Sequence, residues 1–174
     1  MESIEMTAMV LADRATAPSW RRAENLGREL LEVLNAPAVL QRIEETNRPG
    51  KSSAEIQAAF EAEAVGLGFQ SEKTGLFERQ ALRPDYYLDL GNDEGILLEV
   101  ERGKTTINNM DLLDFWKCHL CPGANYLFLL VPRALRQNEK MRPRNEYRTV
   151  AKRLAHFFED GNGTNVHGLC LYGY

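Results

Sequence analysis

Acidic residues recur at alternate positions of two β-rich stretches, Asp85-Tyr86-Tyr87-Leu88-Asp89-Leu90 and Ile96-Leu97-Leu98-Glu99-Val100-Glu101. Successive side chains of a strand point to opposite faces. The even-numbered set, Tyr86, Leu88, Leu90, Ile96, Leu98 and Val100, is wholly apolar or aromatic, whereas the odd-numbered set holds Asp85, Asp89, Glu99 and Glu101. Gly91-Asn92-Asp93-Glu94-Gly95 between them has the residues of a hairpin turn. With the turn centred near Asp93, Asp85 is predicted opposite Glu101 and Tyr87 opposite Glu99. Asp85, Glu99 and Glu101 then share one patch of one face, with Cβ atoms about 5 Å apart directly across and roughly 7 Å apart diagonally.

Like charges at that spacing repel, and a divalent cation is the simplest compensation. Oxygen ligands without cysteine or histidine select Mg²⁺ or Mn²⁺ over zinc. Such a site suits phosphodiester hydrolysis: Asp85 and Glu99 hold the metal, and Glu101 is a third ligand or orients and deprotonates the attacking water. The bland alternative is an ordinary antiparallel hairpin whose odd face is solvated. Against it, Pro84-Asp85 starts one strand and Glu99-Val100-Glu101 ends the next, so the acids gather at one end.

Several elements must hold this hairpin. Met1 to Glu45 reads as helical, broken at Ala17-Pro18-Ser19 and Asn35-Ala36-Pro37, and Asn47-Arg48-Pro49-Gly50 is a loop. Ser52 and Glu55 form a capping box that opens a helix from about Ser53 to Val65, stopped by Gly66 and Gly68. A strand is expected near Glu72 to Phe77. Leu112, Leu113, Trp116 and Leu120 mark the apolar face of a helix from about Asn109 to Leu120, and the apolar run Tyr126 to Val131 is a strand buried on both faces. Strand, helix and buried strand make a crossover, so the sheet is mixed and the second hairpin strand is internal to it. Tyr147, Val150, Ala151, Leu154 and Phe158 give a further helix, and Val166 to Tyr172 a last strand.

Pro84-Asp85, thirteen residues, then Glu99-Val100-Glu101 resembles the signature of the PD-(D/E)XK nuclease superfamily. The order helix, three strands, helix, strand from Ser52 to Val131 resembles the core of its restriction-endonuclease-like fold over about eighty residues. The resemblance implies Asp85 and Glu99 as metal-binding acids of a Mg²⁺-dependent DNA endonuclease, with restriction-type cutting among its forms. Glu101 stands where the family usually has lysine, and Lys104 is the nearest replacement in sequence. The family's first helix often contributes a glutamate near its start, which here is Glu55, with Glu63 competing for the place.

Charge is segregated along the chain. The formal net charge is -4, yet Arg133, Arg136, Lys140, Arg142, Arg144, Arg148, Lys152 and Arg153 face only Glu139 and Glu146 in their segment, for a local net of +6 and -10 elsewhere. The basic segment is expected to contact the phosphate backbone of DNA, through Arg133, Arg136, Lys140, Arg142, Arg144 and Arg148 above all. Cys118 and Cys121 form a lone CxxC and read as packed thiols; no Gly-x-Ser-x-Gly elbow is present.

The chain is 44% hydrophobic and 26% charged, which excludes a disordered, collagen-like or disulfide-framework protein. No apolar run approaches the roughly 20 residues that span a bilayer, and Met1 to Glu5 lacks the features of a signal peptide, so a cytoplasmic location without a membrane partner is expected. These readings combine into an α/β protein with a restriction-endonuclease-like mixed central sheet of about five strands flanked by helices. Residues 1–50 form an N-terminal helical extension and residues 51–174 the nuclease core. Cutting both strands of DNA generally takes two sites, so a homodimer is expected. The competing expectation is a non-catalytic nucleic-acid-binding module with a vestigial acidic cluster.

Overall fold

The computed structural model describes residues 2–48, 50–71, 77, 81–103, 105–133 and 145–174. Six strands form one sheet in the order β1-β6-β5-β4-β3-β2. They are β1 (Glu5–Val10), β2 (Gln70–Ser71), β3 (Tyr86–Gly91), β4 (Glu94–Val100), β5 (Tyr126–Val131) and β6 (Gly168–Gly173). The helices are α1 (Pro18–Leu34), α2 (Pro37–Thr46), α3 (Ser53–Gly66), α4 (Met110–Leu120) and α5 (Glu146–Ala155). β4, β5 and β6 run parallel, joined by crossovers through α4 and α5, while β2, β3 and β1 pair antiparallel at the margins. The sheet is therefore mixed. Its element order through the hairpin, α4 and β5 is the one implied by the resemblance at Pro84-Asp85 and Glu99-Val100-Glu101.

Pro18 and Pro37 stand at the starts of α1 and α2, where the missing proline N–H costs nothing. The capping box of α3 is complete: Glu55 N–H donates to Ser52 Oγ, and Ser52 N–H donates to Glu55 Oε2. Helix α1 lies close against β6, because a Cβ at Gly27 would come within 2.9 Å of Cys170 Sγ. β5 is buried along its whole length, as expected of a central strand covered on both faces.

Two expectations are corrected. Glu5–Val10 is a strand rather than helix, and it pairs with β6, so the sheet has six strands among the described residues instead of about five. Met6, Thr7, Met9 and Val10 can serve either state locally, and the free edge of β6 decides between them. β1 and α1 thereby join the central sheet and its apolar core. The hairpin register also differs: Tyr87 pairs with Leu97 and Tyr86 with Leu98, which sets Asp85 beside Glu99 rather than Glu101. The cause is the turn. Asn92 and Asp93 both adopt positive φ, as a two-residue turn requires, and Gly91, at φ 83°, takes up a register shift next to it. A displacement of two residues preserves which side chains share a face. The strand expected near Glu72 to Phe77 lies, apart from Phe77 in a turn, outside the described residues; among those described, Gln70–Ser71 pairs with β3.

The two faces of the sheet are covered by different helices. Ile96, Leu98, Val100, Tyr126, Phe128 and Tyr172 pack with residues of α1, α2 and α3. Leu97, Leu127, Leu129 and Leu171 pack with residues of α4 and α5. The odd-numbered face of β4 is thus interior, and the acids on it are not on a solvated side.

Candidate active site

The acids lie where β3 begins and β4 ends, at the carboxyl end of the parallel strands, the end at which open α/β sheets bind ligands. Both carboxylate oxygens of Asp85 are held: Gln57 Nε2 of α3 donates to Oδ1 at 2.7 Å, and the Val100 N–H donates to Oδ2 at 2.8 Å. The Asp85 N–H lies 3.4 Å from Glu99 Oε2, in keeping with the observed register. Glu99 is only 2% exposed.

Helix α4 completes the cluster. Lys117 Nζ stands 2.8 Å from Glu99 Oε1 and 3.1 Å from Asp114 Oδ1. Asp114 is also buried, and its charge helps to raise the pKa of Glu101. Glu99 and Asp114 therefore share one ammonium group, with Asp85 and Glu101 near enough to feel its charge.

Burial dominates the electrostatics. It pushes the Asp85 carboxyl up to about 6, against the hydrogen bond from Val100. Glu101 rises to about 8, from burial and then from the charges of Asp114 and Asp85. Glu99 is driven well above the carboxylate range by burial and by Asp114, with Lys117 opposing. Burial alone would lower the Lys117 pKa, but Glu99 and Asp114 outweigh it and hold the ammonium form. Four carboxyl groups share one cation, so the pocket favours further positive charge.

The donors suit a hard divalent cation. The Glu99 carboxylate lies against the Asp85 backbone N–H, and Asp114 Oδ2 is buried without a hydrogen-bond partner. Among the described residues no three His, Cys, Asp or Glu side chains are gathered into a cage that could hold a metal ion. Mg²⁺ needs no such cage, because it commonly takes one or two carboxylates and fills its octahedron with water and substrate phosphate oxygens.

The remaining candidates are placed elsewhere or lie outside the described residues. Glu55 is exposed at the start of α3, where hydrogen bonds from Lys51 and Ser52 hold it down to about 2. Glu63 pairs with Arg42 at 2.6 Å. Arg133 anchors the N-terminal segment, with its guanidinium 3.3 Å from both Glu2 and Glu5 carboxylates and donating to Ser3 O. Arg148 is exposed on α5. Arg153 turns inward, 3.4 Å from the buried Asp111 and bonded to Thr106 O and Asn109 Oδ1. Lys104, Arg136, Lys140, Arg142 and Arg144 lie outside the described residues. Cys118 and Cys121 are buried free thiols whose pKa values burial raises, Cys121 to about 12.

Sequence reasoning missed Gln57, Asp114 and Lys117. A signal for two of them exists: Asp111, Asp114 and Lys117 recur every third residue, so they line one side of α4. That side, and not the leucine side, faces the sheet. The expectation that Leu112, Leu113, Trp116 and Leu120 form the buried face is corrected, since Asp111, Asp114, Phe115 and Cys118 are buried while Leu113, Trp116 and Leu120 are exposed.

No family model and no curated protein sequence matches this chain. Among solved structures it is similar to that of the restriction endonuclease BGLII complexed with a DNA 16-mer, at 15% identity and a TM-score of 0.48, covering 99% of this chain and 78% of that one. No helix among the described residues is long and apolar enough to cross a membrane.

Proposed function

We propose that this protein is a Mg²⁺-dependent DNA endonuclease whose site is the cluster of Asp85, Glu99, Glu101, Asp114 and Lys117. The observation that carries the reading is the position of Lys117: a partly buried ammonium group in contact with Glu99, supplied from α4, where the motif itself has Glu101 in the usual lysine place. Asp85 and Glu99 would hold the cation, which when bound supplies Lewis-acid polarisation of a phosphoryl oxygen. Gln57 and the Val100 N–H orient the Asp85 carboxylate. Lys117 keeps its proton, so its part is to face the negative charge that builds on the phosphoryl group and not to act as a base. Glu101 would accept a proton from the attacking water in its ionised form, which a cation bound beside it would favour over the protonated form that its value of about 8 gives without one. Exposed Arg148 and the basic segment before it are assigned to the DNA backbone.

The test is a cleavage panel of plasmid, linear duplex, single-stranded and branched DNA, with Mg²⁺ and with chelator. The wild type should nick DNA only with metal, and Asp85→Ala should behave like the chelated protein and bind Mg²⁺ more weakly. Absence of metal-dependent nicking of any DNA or RNA form, with unchanged metal affinity in Asp85→Ala, sinks the proposal. One observation favours the rival reading of a non-catalytic DNA-binding module: both oxygens of Asp85 and both of Glu99 already have protein partners, so the cluster is partly closed on itself. Salt-sensitive DNA binding without cleavage is the outcome that selects it.

A further inference from the structure

Helix α4 is held in a rotation that hydrophobic burial alone would reverse. Its inner side carries Asp111, Asp114 and Lys117, while Leu113, Trp116 and Leu120 form an outer stripe that is 54%, 45% and 63% exposed. Turning the stripe inward would remove apolar surface from water, so polar bonds elsewhere must oppose that turn. Helix α5 supplies them, fixed to the core by Tyr147, Val150 and Leu154. Glu146 and Arg153 stand two turns apart on one side of α5. Glu146, 1% exposed, accepts from the Thr106 N–H at 3.1 Å and from Thr106 Oγ1 at 2.7 Å. Arg153 donates through Nη1 to Thr106 O at 3.1 Å and through Nη2 to Asn109 Oδ1 at 2.7 Å, and its Nε stands 3.4 Å from Asp111 Oδ2. The N–H, hydroxyl and carbonyl of Thr106, in the connection from β4 to α4, are thus all taken by α5. Asn109 precedes α4 and Asp111 lies in its first turn, so the same guanidinium grips the start of that helix on its inner side. Asp111 is fully buried, and Arg153 is the cation that opposes the cost of that burial.

We propose that Glu146 and Arg153 are positioning residues for the acidic cluster: by clamping Thr106 and the first turn of α4, they set the rotation that brings Asp114 and Lys117 to Glu99. The proposal rests on the nuclease reading. It gives Arg153 a different task from the phosphate contact that its place in the basic segment suggests. The geometry favours the inner task, because all three guanidinium nitrogens face protein partners. Asp111, Asp114 and Lys117 recur every third residue, so a turn of α4 that breaks the Asp111–Arg153 pair also carries Asp114 and Lys117 away from Glu99. Asp85 is held from other elements, by Gln57 of α3 and the Val100 N–H of β4. Loss of the clamp should therefore slow the chemical step and leave the hold on DNA as it was.

Steady-state cleavage of duplex DNA with Mg²⁺ gives the kinetic half of the test. Arg153→Met should lower kcat about 10- to 100-fold while KM for DNA changes by less than about two-fold. Glu146→Leu, which frees the Thr106 N–H and hydroxyl, should show the same split, and Arg153→Lys, which keeps a cation beside Asp111, should recover most of the loss. An unchanged kcat with a raised KM in Arg153→Met would make Arg153 a phosphate contact and overturn the proposal. Acrylamide quenching of tryptophan fluorescence reads the rotation itself without substrate, since Trp116 is 45% exposed and Trp20, the other tryptophan, 4%. In folded Arg153→Met the stripe should turn inward, so emission should move to shorter wavelength and quenching should weaken. Unchanged or stronger quenching overturns the proposal. Should Arg153→Met fail to fold, Asp111→Asn serves both measurements, because it removes the pair without leaving a buried charge; kcat and emission should move in the same directions. If the wild type cleaves no DNA, the nuclease reading fails, and the emission shift still decides whether Arg153 sets the rotation of α4.

Discussion

Helices α1 and α4 both lie on the central sheet, yet they are turned in opposite senses. α1 buries Trp20, Ala23, Gly27, Leu30 and Leu34 and leaves charged residues such as Arg21 and Arg28 outside. α4 buries Asp111 and Asp114 with Phe115 and Cys118, and leaves Leu113, Trp116 and Leu120 in solvent. The first arrangement is what hydrophobic burial alone produces. The second costs desolvation of two carboxylates and forgoes burial of two leucines and a tryptophan, so something other than the stability of an isolated domain selects it. The contrast separates a helix that builds the core from one that equips a site.

The largest expected effect comes from removing the cation that compensates the inward acids of α4. Lys117→Met leaves Glu99 and Asp114 buried without their partner and should destabilise the fold by about 3–5 kcal/mol, read from urea unfolding at neutral pH. Lys117→Arg should lose much less. If Lys117→Met is neutral, the charged side of α4 is not held as described.

A step smaller is the ordinary core of α1, where Leu30→Ala should cost about 2–5 kcal/mol by the same measurement. An effect of that size at α1 beside a near-zero one on the leucine side of α4 would confirm that the two helices use their apolar residues differently.

pH should act on α4 and spare α1. Glu101 has an ordinary value of 4.5, and burial with its Asp114 and Asp85 neighbours raises it to about 8 in the folded protein. Between those values the folded state keeps a proton that the unfolded chain has released. Its contribution to stability is therefore complete below about 4.5, shrinks as the pH climbs and is gone above about 8. The metal-free protein should accordingly show a falling melting temperature from about pH 5 to pH 8, and Glu101→Gln should flatten that slope. A slope unchanged by the substitution would move the proton elsewhere.

The smallest effect is expected on the outer side of α4. Leu120→Ser should change unfolding free energy by no more than about 0.5 kcal/mol, because the side chain is already in water. A larger loss would mean that the stripe is part of the fold of a single chain.

Much of the frame was legible in the residues. Pro18 and Pro37 mark the starts of two helices because proline suits the first helical position. Ser52 and Glu55 mark a third through reciprocal hydrogen bonds within one turn. The run Tyr126 to Val131 reads as a central strand because it has no polar side to offer water. These signals are local. β1 was not legible, since its pairing partner β6 lies at the other end of the chain. Lys117 and Gln57 were not, because each reaches the acids from a helix remote in sequence.

By itself the sequence determined the hairpin, the parity that puts Asp85, Glu99 and Glu101 on one side, and the two sides of α4. Those follow from the fixed periods of strand and helix, which any short stretch carries within itself. Only the tertiary structure decided that the odd side of β4 is interior, that Asp85 lies beside Glu99, and that α4 turns Asp114 and Lys117 inward with its leucines outside. A period defines faces but not what each face meets; that depends on the sheet edge, turn and neighbouring helix that long-range packing brings against it.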